Sequence, residues 1–304
     1  MPRLLILTYH RVLDAPDALQ PGELCADSFR AQMRWIARAF NPMTLHDGVQ
    51  GLRSGRLPSR AVTVTFDDGY RDNLTLALPI LRECGVPATL FVTTGYLRGL
   101  LPFHELLLEA VRHARGSQLD LRELALGAHP VGDGAQKLRA WHAIRSAVLA
   151  RAPTERVALA EQVARAAAAP PLARLMLAED ELRTAAAGFE IGGHTVTHPT
   201  LSRLDAPAAE REIGDGRQQL QALLGVAPRY FAYPFGRPQS DFTDRDMAIV
   251  ERAGFAAAVS TSRGVATPAS RPFALPRFAP WAQRGWRFGL RVLREQMQQE
   301  AAWP

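Results

Sequence analysis

Two stretches of the chain carry residues whose types and spacing suit chemistry. TFDDGY, residues 65 to 70, closes an apolar run with adjacent carboxylates, Asp67 and Asp68, and turns on Gly69. HTVTH, residues 194 to 198, sets His194 and His198 four apart, with Pro199 next. On a helix or a tight loop, residues i and i+4 face the same way, so two imidazoles can grip one ion. Two imidazoles and one carboxylate leave coordination positions open for water and substrate, as a catalytic metal requires. Each imidazole also needs an acceptor that fixes its tautomer, and Thr195, Thr197 or nearby carbonyls can serve.

Neighbouring strand residues point opposite ways, so drawing both carboxylates into one pocket needs a backbone twist, which Gly69 permits. One carboxylate can then bind metal while the other takes a proton from water, a division of labour suited to hydrolysis. A glycosidase pair fits poorly, because its carboxylates must flank a sugar bond about 5 Å or more apart.

The surrounding pattern tells which elements must hold these groups. LLILTY (4 to 9) reads as a buried first strand ending at His10, and AVTVTF (61 to 66) as a second, leading straight into the paired carboxylates. Between them, Ser28 is the expected cap of a helix whose apolar positions run through Phe29, Met33, Ile36 and Phe40. Residues 73 to 84 read as a helix to which Pro79 is the one objection, and Gly85 and Pro87 end it before the strand ATLFVTT. Strand, helix and strand at this spacing imply a parallel sheet with functional loops at the strands' C-terminal ends.

From about 101 to 187 the pattern becomes Ala-, Leu- and Arg-rich with helical period and no convincing strand, which reads as an α-helical insertion. His104, His113, His129 and His142 lie there without carboxylate partners at motif spacing and are assigned surface or packing roles. Alternation resumes with FEIGGH, a helix over about 207 to 224, the strand and turn RYFAYPFG, a helix at 246 to 254, FAAAVST, the extended RPFALPRF and a basic amphipathic C-terminal helix. The expected organisation is one α/β barrel-like domain over residues 1–304 interrupted by that insertion.

The 304 residues, with 47% hydrophobic and 22% charged, suffice for a full core. A net charge of +6 and a pI near 10 invite nucleic acid, but the cations are almost all Arg and spread along the chain, so no nucleic-acid partner is expected. Cys25 and Cys84 stand far apart without CxxC spacing and are read as buried small hydrophobes. No stretch approaches the roughly 20 apolar residues of a membrane span, and Tyr9, His10 and Arg11 interrupt the N-terminal apolar run, so a cytoplasmic protein with no integral membrane segment is expected.

TFDDGY, then HTVTHP, then FAYPFG, together with LTYHRV, ALPILRECGVPATLFVTTG and EIGGHTVTHPTLS, resemble the polysaccharide deacetylase family, the NodB-homology or carbohydrate esterase family 4 enzymes. The resemblance covers most of the chain outside the insertion. It implies a distorted, TIM-like (β/α)7-8 barrel and metal-dependent hydrolysis of N-acetyl groups on the amino sugars of an N-acetylated oligo- or polysaccharide. By the same resemblance Asp67 is the general base, and Asp68, His194 and His198 are the metal ligands. The implied cofactor is a divalent metal, with Zn2+ the first choice and Co2+, Ni2+ or Mn2+ suited to the same donors.

Two family features are missing. The Arg that usually precedes the aromatic-Pro turn is Ala232 here, and no His follows His198 to form the late Leu-x-His motif. Arg277, in ALPRF, is the candidate replacement for the orienting Arg, and His10, at the end of the first strand, the candidate general acid. The Phe235 backbone N–H is the candidate oxyanion donor, and Tyr70, Tyr233, Phe235 and Trp281 are candidates for a sugar-binding groove. Two other readings remain beside deacetylation: a metal amidohydrolase acting on a non-sugar amide or imide, and a non-catalytic glycan-binding relative.

Overall fold

A computed structural model describes residues 2–280 and 285–297. The chain divides into two compact units, one of Met1–Ala15, Gly22–Arg98 and Met176–Pro304, the other of Pro16–Pro21 and Gly99–Leu175. The first unit holds a parallel sheet of β1 (Leu4–Tyr9), β2 (Ala61–Phe66), β3 (Ala88–Val92), β4 (Glu190–Gly193), β5 (Tyr230–Ala232) and β6 (Ala257–Val259), hydrogen-bonded in that order. The short strand Asn41–Pro42 also pairs with β2.

Residues 275 to 278 complete the ring. Ser260 N donates to the Leu275 carbonyl at 2.8 Å and Leu275 N to that of Ala258 at 2.9 Å, while Phe278 N reaches the Ile6 carbonyl at 2.8 Å. One extended segment thus lies between β6 and β1, and its bridges to both are parallel. The result is the distorted α/β barrel expected from the resemblance.

Register decides where the chemistry sits. Tyr9 pairs with Phe66, Val92 with Gly193 and Ala232 with Val259, so the strands end at one edge. The next residues in the chain are His10, Asp67, Thr93, His194, Tyr233 and Ser260. The strands are buried on both faces, as parallel strands covered by helices must be. The covering helices are α1 (Ala26–Ala39), α2 (Leu45–Ser54), α3 (Leu78–Cys84), α4 (Thr94–Leu97), α5 (Glu179–Ala186), α6 (Ala206–Leu224), α7 (Asp244–Arg252) and α8 (Gly285–Met297).

Several expectations change at this level. Helix α1 begins at Ala26 with Cys25 as its N-cap, not Ser28; extended backbone at Cys25 (φ −81°, ψ 161°) marks the boundary. Cys25 and Cys84 are only half-buried. The segment from 73 to 84 is not one α-helix: Asn73–Ala77 forms a π-turn, and Pro79 falls in the first turn of α3, where its missing N–H costs little. That change of period is how the chain accommodates the proline.

The second unit is not wholly helical. Helices Phe103–His113, Gly134–Leu149 and Arg156–Ala166 pack through Leu107, Val111, Ile144, Val148, Ala160 and Val163, and an antiparallel hairpin pairs Gln118–Leu121 with Gly127–Pro130. Its strands are four residues long, and only Leu119 and Leu121 turn inward on the first, too brief an alternation to register against the helical period around it. The excursion also ends earlier than read, since residues 176 to 187, including α5, belong to the first unit.

Within the barrel, β4 has Gly192 where a Cβ would lie 2.3 Å from the Phe91 ring and 3.0 Å from the Tyr230 carbonyl. Gly192→Ala is therefore expected to destabilise the fold by about 1–3 kcal/mol through overpacking. Urea denaturation measures it, with an unchanged midpoint as the contrary result.

Candidate active site

The turn after β2 is tighter than a single glycine explains. Asp68 and Gly69 both take left-handed backbone, with φ of 76° and 88°. For a non-glycine residue this conformation is costly, and it persists where surrounding contacts hold it. Asp67 N bonds to the Tyr9 carbonyl at 3.1 Å and Thr93 N to that of Asp68 at 3.3 Å, which ties the turn to both neighbouring strands. Asp67 and Asp68 are consequently both buried, each 3% exposed, and face different partners.

Asp67 faces Arg277. Nη1 and Nη2 of the guanidinium donate to the two carboxylate oxygens at 2.7 Å each, while Nε donates to the Ser260 carbonyl at 2.9 Å and Nη1 also to Thr65 Oγ1 at 3.2 Å. Such a two-pronged pair fixes the carboxylate's orientation as well as its charge. Burial pushes the Asp67 carboxyl up, but Arg277 outweighs it with help from His194 and His10, so it lies below the ordinary aspartate range. At neutral pH it is a carboxylate.

Asp68 faces the imidazoles. Its Oδ1 is 3.3 Å from His194 Nε2 and 3.2 Å from His198 Nε2, and the three ligand atoms lie within 4.8 Å of one another. The intervening residues form a tight loop, with Thr195 and His198 left-handed at φ of 65° and 59°. His194 Nδ1 lies 2.7 Å from the Ala232 carbonyl. A carbonyl only accepts, so Nδ1 carries the proton and a neutral ring presents its Nε2 lone pair toward Asp68.

Asp68 Oδ1 is buried with no hydrogen-bond partner among the described residues. An orphaned carboxylate oxygen facing imidazole nitrogens is repulsive unless a cation lies among them, and oxygen with two nitrogens is a donor set for a divalent metal. The residues fit that cofactor. Burial pushes Asp68 up, yet the two imidazoles and His10 reverse this and hold it well below the usual range. Burial, the largest influence on His198, pushes that imidazole down toward the neutral form that ligates. Burial would lower His194 as well, but the carboxylates of Asp68 and Asp67 raise it. A proton and a cation therefore compete for its Nε2.

His10 follows β1 directly. Its carbonyl accepts from Asn73 Nδ2 at 2.8 Å, and it stands at the edge where Asp67 leaves the paired strand β2. Phe235 is left-handed at φ 60°, and its ring meets the His198 ring edge-on at 5.0 Å. The other proposed groove residues fall differently. Tyr233 is 1% exposed, stacked at 3.7 Å on Phe242, and its hydroxyl donates to the Phe273 carbonyl, so it belongs to the core. Tyr70 is likewise buried, beneath Arg11. Trp281 lies outside the described residues.

Three neighbours escaped the sequence. Tyr96 stacks on His198 with ring centres 6.2 Å apart. Glu23, pushed up by burial, accepts from Arg11 N and feels both His10 and Asp68. Glu212 binds the loop between the two histidines. None of the three stands in a spacing that signals a site, although GVPATLFVTTGYL places Tyr96 just past a strand end. No helix among the described residues is long and apolar enough to cross a membrane.

The family model for polysaccharide deacetylase matches residues 54–114 and 159–258. YxkH of Bacillus subtilis, whose name places it among polysaccharide deacetylases, is 21% identical over 277 residues, covering 90% of this chain and 70% of its own. A poly-beta-1,6-N-acetyl-D-glucosamine N-deacetylase of Staphylococcus epidermidis is 28% identical over 115 residues, 34% of this chain and 39% of the other. Among solved structures, the Streptococcus pyogenes deacetylase PplD superposes with a TM-score of 0.65 at 19% identity, covering 96% of this chain and 99% of its own. IcaB from Ammonifex degensii gives 0.61 at 18%, covering 97% and 98%. At these identities the two structures speak for the fold.

Arg277→Ala leaves the Asp67 charge buried without its partner and is expected to cost about 3–5 kcal/mol. The folded Asp67 value lies below its ordinary 3.8, so the pair stabilises the fold above that pH and loses its effect as pH falls through the depressed value. Denaturation midpoints between pH 7 and pH 2 should show an acid limb that Arg277→Ala flattens; parallel curves for the two proteins would contradict it.

Proposed function

The chain belongs to the polysaccharide deacetylase family, and on that footing we propose that it is a metal-dependent N-deacetylase of amino-sugar glycans or their precursors. The observation that carries the reading is the separation of the paired aspartates into two environments, Asp67 on Arg277 and Asp68 on the two imidazoles. A binding protein has no need of a buried carboxylate held ionised and oriented beside a cation site. This supports catalysis over a purely glycan-binding relative.

Asp68, His194 and His198 would hold a divalent cation, with zinc favoured by the two imidazoles. When bound, that ion acidifies water and polarises the acyl oxygen of the substrate. Asp67, ionised and aligned by Arg277, accepts the proton of the attacking water. The Phe235 N–H is the donor assigned to the developing oxyanion, and the left-handed turn it occupies is the kind of strained backbone that active sites hold. His10, which follows β1 at the edge where Asp67 leaves β2, protonates the departing amine. The products are acetate and a free amino sugar.

Acetate release from N-acetylglucosamine oligomers tests this. Release should stop with chelator and return with zinc, and Asp67→Asn should lower kcat by roughly 10^2 to 10^4-fold. His10→Ala should lose turnover with metal content intact. Glycan binding without release in the metal-loaded protein would overturn the enzymatic reading, release from simple amides but not from sugars would move the substrate class, and full turnover of His10→Ala would remove it as the acid.

A further inference from the structure

We infer that Glu212 on α6 is a positioning residue for the metal site, acting through the loop that joins His194 to His198; the inference rests on the metal-site reading above. The two histidines are held by different means. His194 has its Nδ1–H fixed on the Ala232 carbonyl, the usual device for orienting a ligating imidazole. His198 Nδ1 is buried with no hydrogen-bond partner among the described residues. Its ring lies between Tyr96 and Phe235, at 6.2 and 5.0 Å between centres. Ring contacts restrict tilt but supply no directed bond, so the aim of His198 depends on its backbone.

That backbone is strained and must be held. Thr195 and His198 are both left-handed, a conformation that is costly for residues other than glycine. Glu212 Oε2 accepts from the N–H of Val196 at 2.9 Å and of Thr197 at 2.8 Å, and Oε1 accepts from the Thr197 hydroxyl at 2.7 Å. From the other side, the first N–H groups of α4 reach the loop carbonyls, Thr94 N to Thr195 at 3.2 Å and Gly95 N to Val196 at 2.8 Å. Tyr96, the next residue of α4, is the one stacked on His198.

The helix is shaped for this approach. Gly216 follows Glu212 by four residues, hence on the same face, and a Cβ there would lie 3.2 Å from the Thr195 carbonyl carbon. A larger residue would hold α6 off the loop and lengthen the Glu212 bonds. One carboxylate thus gathers two consecutive N–H groups and a hydroxyl, and its two oxygens are spaced to reach all three at once. Removing it leaves two strained residues free to relax, and His198 turns away from Asp68.

The test is zinc affinity, read by competition with a chromophoric chelator on the full chain stripped of metal. Glu212→Ala should weaken zinc binding roughly 10- to 100-fold. Glu212→Gln, whose amide oxygen can still accept both N–H bonds, should stay within about threefold of the unaltered protein, a rescue that a merely structural role would not require. Glu212→Asp keeps the charge but withdraws it by one methylene; it should weaken binding at least about fivefold, and it carries the test if the alanine variant does not fold. Affinity within threefold for the alanine or aspartate variant, or a glutamine variant as weak as alanine, overturns the inference. Absence of zinc binding by the unaltered protein would instead remove the metal-site reading itself.

Discussion

Asp67 and Arg277 stand 210 positions apart in the chain and meet through two bonds of 2.7 Å in a region closed to water. Much of the first unit follows from accommodating that pair. The carboxylate must leave β2 at the edge where β1 and β3 also end, and the guanidinium must arrive on the segment that closes the ring between β6 and β1. Neither charge tolerates burial alone, so closure of the barrel and completion of the site are one event. The three residues proposed to hold a metal sit on the same edge because the parallel register brings Gly193 level with Val92.

The sequence made the core of this site legible because its chemistry is local. Two adjacent carboxylates past an alternating strand and two histidines four apart are short patterns, and an apolar strand before each one points it to the same edge. Arg277 and His10 could be inferred only through vacancies, an alanine at 232 and the lack of a late histidine; the structure pairs Arg277 with Asp67 and puts His10 one residue past β1, at the edge where Asp67 leaves β2. Tyr96, Glu23 and Glu212 could not be read at all. Their parts depend on which helix face meets which loop, and that is decided by packing rather than by periodicity. Tyr70 and Tyr233 show the converse: aromatic residues beside the DDG and aromatic-Pro motifs suit a sugar groove by type, yet both are buried.

Fold reading failed where two local rules competed. Residues 73 to 84 read as one helix against the objection of Pro79, and the chain meets that objection with a π-turn ahead of α3. That turn also carries Asn73, whose amide donates to the carbonyl of His10, so a local irregularity braces the N-terminal histidine. In the second unit the hairpin was hidden by brevity, because four-residue strands beside Leu-rich helices offer too little alternation to separate from a 3.6-residue period.

The family's usual arrangement puts the arginine beside the aromatic-Pro turn, whereas here it lies 45 residues beyond Ala232. In order of synthesis, both aspartates, both histidines and the Phe235 turn leave the ribosome before the guanidinium does. Until residue 277 emerges and docks, the nascent barrel holds an acidic centre without its main cation and an open seam between β1 and β6. The segment that bonds to both β6 and β1 is thus also the one that brings the guanidinium to Asp67, so the seam and the ion pair share one late stretch of chain.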